Sequence, residues 1–144
     1  MAALPGRLGT LQARNIMTGK IVVLSETDTL ERAVEVLTEQ QISGAPVVDE
    51  IGVFRGLISL TDIAHGRAQA PQDEFAEAPR LVRDCMSDRI VSVRDSASLL
   101  EVARKMCAGH WHRLTVVDDQ NCICGIVSTM DVLAAVVNTA DETH

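Results

Sequence analysis

Apolar positions along this chain follow two alternating periods, and the alternation occurs twice. Leu30, Ala33, Val34 and Leu37 stand at i, i+3, i+4 and i+7, the spacing that gathers side chains on one helix face. This predicts a helix over Thr29–Gln40, reached through polar Glu26–Asp28. Short β-branched runs flank it, so Ile21–Leu24 and Ala45–Val48 read as strands. Asp49–Gly52 supplies turn residues, Val53–Ile58 returns as a third strand, and a second helix begins near Ser59.

Shifting the sequence by 69 residues (Arg14 onto Arg83) lays it over itself without a gap. Met17, Leu30, Val47, Asp49, Gly56, Ser59 and Asp62 then meet Met86, Leu99, Val116, Asp118, Gly125, Ser128 and Asp131. The helical face recurs in register as Leu99, Val102, Ala103 and Met106. The second copy predicts strands at Ile90–Val93, Leu114–Val117 and Cys122–Val127, with helices at Ser98–Gly109 and Thr129–Asn138. The fold class is therefore α/β (α+β), with repeats over 12–66 and 80–138, each β-α-β-β-α. Three short strands and two helices leave one sheet face uncovered, so two units packed into one globular module would bury it. Gly66–Pro79 lacks periodicity, and 67–79 reads as a solvated linker whose acids Asp73, Glu74 and Glu77 face water.

Composition narrows the function. Aromatics are 2% of the residues, so the core must be built from Val, Ile, Leu, Ala and Met. Net charge is −7 and no stretch is rich in Lys or Arg, which argues against nucleic acid as a partner. No apolar run reaches the roughly 18 residues of a membrane span, and Met1–Thr10 lacks a secretory apolar stretch. Four cysteines in the second half, without the spacing of a disulfide scaffold, point to a cytoplasmic protein.

The run Ile42-Ser43-Gly44-Ala45-Pro46-Val47-Val48-Asp49, followed by Gly56-Leu57-Ile58-Ser59 and Asp62, resembles the cystathionine-β-synthase (CBS) domain. His112-Arg113-Leu114-Thr115-Val116-Val117-Asp118 and Gly125-Ile126-Val127-Ser128 through Asp131 repeat it. Ile16-Met17-Thr18 and Cys85-Met86-Ser87 fit the way such repeats open. The second copy is similar to repeats of the AMP-activated protein kinase regulatory subunit. The resemblance implies a tandem pair, a Bateman module, with pseudo-twofold symmetry, adenosine-containing ligands in clefts between the repeats, and assembly into homodimers.

Site residues follow from the same likeness, beside a plainer reading for each. Ser59-Leu60-Thr61-Asp62 and Ser128-Thr129-Met130-Asp131 have the form of capping boxes. In the family the Asp at this position holds ribose, which implies ligand roles for Ser59, Asp62, Ser128 and Asp131. Arg113, just before a strand, has the fork geometry to chelate phosphate, with His112 as a second donor. Its plainer role is a surface pair with Asp118 or Asp119. Ser43 and Gly44 occupy the matching positions and bring no charge. Family geometry implies one cleft of Ser59, Asp62, His112 and Arg113, suited to phosphate. The other would be neutral, formed by Ser128, Asp131, Ser43, Gly44 and Ala45 with Thr18.

Other chemistry is weaker. His110, His112, Cys122 and Cys124 offer zinc-type donors without a zinc-motif spacing, so no metal is expected. Trp111 reads as packing ahead of a stacking platform for adenine. No nucleophile–base pair, Walker loop or dinucleotide fingerprint appears, so the chain reads as no enzyme and as requiring no cofactor. The expected function is a sensor of AMP, ADP or ATP that signals to an unidentified partner in trans. The alternative is a structural homodimerisation module with empty clefts, using Val132, Leu133, Val136 and Val137 as its apolar stripe.

Overall fold

The computed structural model describes residues 6–69 and 80–142 of the chain. These form two compact units whose limits differ from those of the repeats. One is Val22–Ile90, and the other joins the stretches on either side of it, here called the flanking unit.

The Val22–Ile90 unit holds strands β1 (Leu24–Ser25), β2 (Gly44–Val48) and β3 (Phe54–Ser59), in that order across one sheet. β1 runs parallel to β2, with Leu24 beside Val47, and β2 runs antiparallel to β3. The flanking unit repeats this with β4 (Ser92–Arg94), β5 (Arg113–Val117) and β6 (Ile123–Ser128). Both sheets carry a register shift at matching places, Val47/Val48 and Val116/Val117. The turns that follow also match. Asp49 Oδ1 accepts the N–H groups of Ile51 and Val53, and Asp118 Oδ1 those of Gln120 and Cys122. Gly52 and Asn121 both take positive φ, Asn being the L residue best suited to that region.

The amphipathic helices lie where the apolar period places them. α2 (Leu30–Glu39) buries Leu30, Ala33 and Leu37, and α5 (Leu99–Gly109) buries Leu99, Val102 and Met106. Each is capped by a hydroxyl: Thr29 Oγ1 accepts from Arg32 N–H, and Ser98 Oγ from Glu101 N–H. The sheets lead into α3 (Leu60–Gln69) and α6 (Thr129–Glu142). α3 continues three residues into the stretch expected as linker. The rest of that stretch, 70–79, with the acids Asp73, Glu74 and Glu77, lies outside the described residues.

Two one-turn helices, not anticipated from the sequence, explain the offset of the units. α1 (Ala13–Ile16) precedes the first repeat's strands yet belongs to the flanking unit, where Ala13 is fully buried against Val93, Val102 and Leu114. α4 (Val82–Cys85) likewise opens the second repeat but buries Val82 in the core of the Val22–Ile90 unit. Each dissolves the problem of unpaired amides at a helix start by bonding to a loop of the other repeat. Ala13 and Arg14 N–H donate to the carbonyls of Ala97 and Asp95, and Val82 and Arg83 N–H to those of Asp28 and Glu26. Beyond each turn the chain adds a bridge to the sheet edge, Thr18 with Ile126 and Ser87 with Leu57. The repeats have exchanged their opening arms.

Candidate ligand-binding site

The Ser-x-x-Asp turns sit where β3 and β6 become α3 and α6, and both form complete capping boxes. Ser59 N–H donates to Asp62 Oδ2 at 3.0 Å, while Asp62 N–H donates to Ser59 Oγ at 3.0 Å. Ser128 and Asp131 make the same exchange at 2.7 and 3.2 Å. The capping role is therefore filled, and what remains decides whether a ligand can use these residues. The first helical amides are occupied too: Leu60 N–H donates to Ser43 O, and Thr129 N–H to His112 O. Left over among the described residues are the Oδ1 atoms of Asp62 and Asp131 and the amides of Thr61 and Met130. Both carboxylates are half-buried. A free carboxylate oxygen beside a free helix-start amide is a pairing that fits a diol next to a negative group.

The residues before the second strand stand beside these turns. Gly44 pairs with Ser59 across β2 and β3, and Arg113 pairs with Ser128 across β5 and β6. Ser43, Gly44, Ala45, Ser59 and Asp62 thus gather in the Val22–Ile90 unit. Thr18, His112, Arg113, Ser128 and Asp131 gather in the flanking unit, where Thr18 bridges Ile126 on β6. A Cβ at Gly44 would lie 2.9 Å from Ile58 O, so glycine is required there by the neighbouring strand as well as favoured for ligand approach. Ala45 is buried in the core and offers backbone only.

Arg113 is exposed at the head of β5. It makes no ion pair among the described residues, because its expected surface partners are engaged elsewhere. Asp119 pairs with Arg94 at 3.3 Å, and Asp118 holds its own turn. Among the described residues the guanidinium is left available.

Among the described residues, no three His, Cys, Asp or Glu side chains gather to hold a metal ion. His110 is an exposed left-handed residue ending α5, with φ 56°. Cys124 donates its thiol to Val116 O, and burial raises its pKa, helped by Asp95 and Asp118. A raised value keeps the native thiol protonated where the unfolded chain would already ionise, so through this group stability is unaffected at neutral pH and falls as pH climbs through the alkaline range. Iodoacetamide at pH 8 is expected to label exposed Cys107 well before Cys124, read by peptide mass spectrometry; equal rates would show that Cys124 is not shielded. Trp111 packs on the flanking unit's core over Gly109, which accords with a packing role.

Sequence reasoning missed one group of residues. His65, Arg80, Asp84 and Cys85 join Thr61 and Asp62 around a groove beside α3 and α4. The signal was available in the repeat alignment: His65 and Arg80 correspond to Ala134 and Leu11, so neither belongs to the shared scaffold.

The CBS domain profile matches residues 13–68 and 82–138. The chain belongs to the CBS domain family. Human 5'-AMP-activated protein kinase subunit gamma-3 is 32% identical over 133 residues, covering 89% of this chain and 27% of that protein. Inosine-5'-monophosphate dehydrogenase of Methanocaldococcus jannaschii is 29% identical over 122 residues, covering 85% of this chain and 23% of the enzyme. The chain thus spans about a quarter of each of these relatives. The crystal structure of CBSX2 from Arabidopsis thaliana in complex with AMP matches with a TM-score of 0.72 at 26% identity, over 90% of this chain and 98% of that one. The family resemblance and the mixed α/β fold read from the sequence hold. Among the described residues no helix of this CBS pair is long and apolar enough to cross a membrane.

Proposed function

We propose that this CBS pair is a regulatory module that senses adenosine-containing nucleotides and signals to a partner protein in trans. The observation that carries the reading is the surplus at each Ser-x-x-Asp turn: among the described residues, one carboxylate oxygen and one helix-start amide stand beyond what capping uses. Asp62 and Asp131 take ribose hydroxyls, with Ser59 and Ser128 beside them. Arg113 and His112 take phosphate. Ser43, Gly44 and Ala45 supply uncharged lining, so affinity for phosphate differs between sites, and Thr18 adds a hydroxyl beside Ser128 and Asp131. The AMP held by the similar CBSX2 supports adenine nucleotide as the ligand class. Catalysis and a required cofactor form no part of this reading. The free thiols of the described cysteines suit a cytoplasmic protein.

A homodimerisation role with empty ligand sites is the second reading, favoured by α6. Leu133 and Val137 are each 56% exposed there and Met130 69%, although Val132, expected on the same stripe, instead packs against the core.

Thermal unfolding with AMP, ADP, ATP, adenosine and S-adenosylmethionine separates the readings. A ligand at a hundred times its Kd stabilises by about 2.7 kcal/mol. That shift is expected for at least one adenine nucleotide, with Asp62→Ala and Asp131→Ala weakening binding about ten- to a hundredfold. No shift with any of them, together with a concentration-dependent dimer, would favour the structural module.

A further inference from the structure

The groove beside α3 and α4 has a volume of about 420 Å³ and is lined, among the described residues, by Thr61, Asp62, His65, Gly66, Arg80, Asp84 and Cys85, all of the Val22–Ile90 unit. That volume falls in the range of roughly 300–1,000 Å³ typical of small-molecule sites. Gly66 lets α4 approach, since a Cβ there would collide with Cys85 Sγ. The groove opens on the same Asp62 whose Oδ1 is unengaged among the described residues, and on the Thr61 amide, likewise unengaged among them.

Its charges are of two kinds. The acids are scaffold: Asp62 Oδ2 accepts Ser59 N–H, and Asp84 Oδ2 accepts Leu81 N–H at 2.9 Å, with Asp131 and Asn15 doing the same work in the other repeat. The bases are not. Exposed His65 lies one turn after Asp62, and half-buried Arg80 donates one Nη1 hydrogen to Gly66 O at the end of the groove. Among the described residues this bond anchors the guanidinium and leaves its remaining N–H groups for another acceptor. The shared fold needs neither residue, as Ala134 and Leu11 show.

We propose that this groove is a phosphate subsite: Arg80 and His65 hold the phosphate of a nucleotide whose ribose Asp62 takes. The proposal rests on the ribose role given to Asp62 above. It supplies the Val22–Ile90 unit with the positive charge that Ser43 and Gly44 lack, by a route independent of Arg113. Phosphate at Arg80 is held by a planar fork already oriented by Gly66, and the Thr61 amide adds a donor at the start of α3.

The ring signals of His65, assigned through their loss in His65→Gln, report on this groove from its lining. Titrations of the whole chain with AMP, adenosine and inorganic pyrophosphate are followed by NMR at those signals. AMP and pyrophosphate are expected to shift them. Arg80→Gln should raise the AMP midpoint about tenfold or more and leave adenosine unchanged. Asp62→Asn, which keeps the cap, should weaken adenosine yet preserve the pyrophosphate response. Failure of the nucleotide reading looks different: neither AMP nor adenosine moves the signals, while pyrophosphate still does and Arg80→Gln abolishes it. The phosphate subsite itself is overturned if pyrophosphate leaves His65 unmoved, or if Arg80→Gln weakens AMP and adenosine equally.

Discussion

Gly56→Ala is expected to destabilise the protein by about 3 kcal/mol or more, at the upper end of overpacking effects. Gly56 is buried in β3 where the exchanged arm crosses it, and a Cβ there would overlap the carbonyl oxygen of Ser87. That oxygen is backbone and cannot yield by a side-chain rotation. Relief requires drawing the arm off the sheet, which breaks the reciprocal bonds of Leu57 and Ser87 at 2.9 and 2.8 Å. It also loosens Val82, which is fully buried in the core at the start of the one-turn helix just before Ser87. Gly125→Ala meets softer resistance, since Met17 Sδ at 2.6 Å can swing aside, although Thr18 O at 2.9 Å cannot. Gly19→Ala meets nothing within 4 Å and serves as the control. Urea unfolding of the three variants should rank them in that order, and a Gly56→Ala midpoint equal to the control would show that the arm does not lie where described.

Arg113→Ala should lower AMP affinity about ten- to a hundredfold while leaving adenosine unchanged, the signature of a charge-assisted contact to phosphate. Stability should stay within about 0.5 kcal/mol, because the side chain is exposed and makes no ion pair among the described residues. Arg113→Lys keeps the charge and loses the fork, so its affinity should fall between the two. Calorimetric titration of both ligands makes the comparison, and equal AMP affinity in wild type and Arg113→Ala would remove the phosphate role.

What was legible in the sequence is what depends on neighbours along the chain. The i, i+3, i+4, i+7 face of α2 and α5 and the Asp49 turn are local, and each is found within a residue or two of its expected place. Strands depend on partners elsewhere. Ile21–Leu24 reads as a strand from its β-branched side chains, yet pairing with β2 starts only at Leu24, leaving Val23 39% exposed. Ile90–Val93 is displaced in the same direction, to Ser92–Arg94. α1 and α4 escaped notice because a single turn has too few positions to show a period, and their stability comes from carbonyls in the other repeat. The site divides along the same line. The Ser-x-x-Asp boxes and Arg113 were visible as motifs, whereas the groove with Arg80 exists only because residues 14 positions apart are brought together by the bond from Arg80 to Gly66 O.

The exchange of opening arms separates the unit of heredity from the unit of folding. A segment cut at 12–66 would keep α1, which its own sheet does not use, and would lose Val82, which fills its core. Val22–Ile90 carries its own closure. Any recombination that replaced one repeat with a foreign copy would have to match the resident copy's loop carbonyls and its glycine, Gly56 or Gly125, at the crossing. Such a pair is therefore expected to diverge in concert, with changes in one arm answered in the sheet of the other repeat.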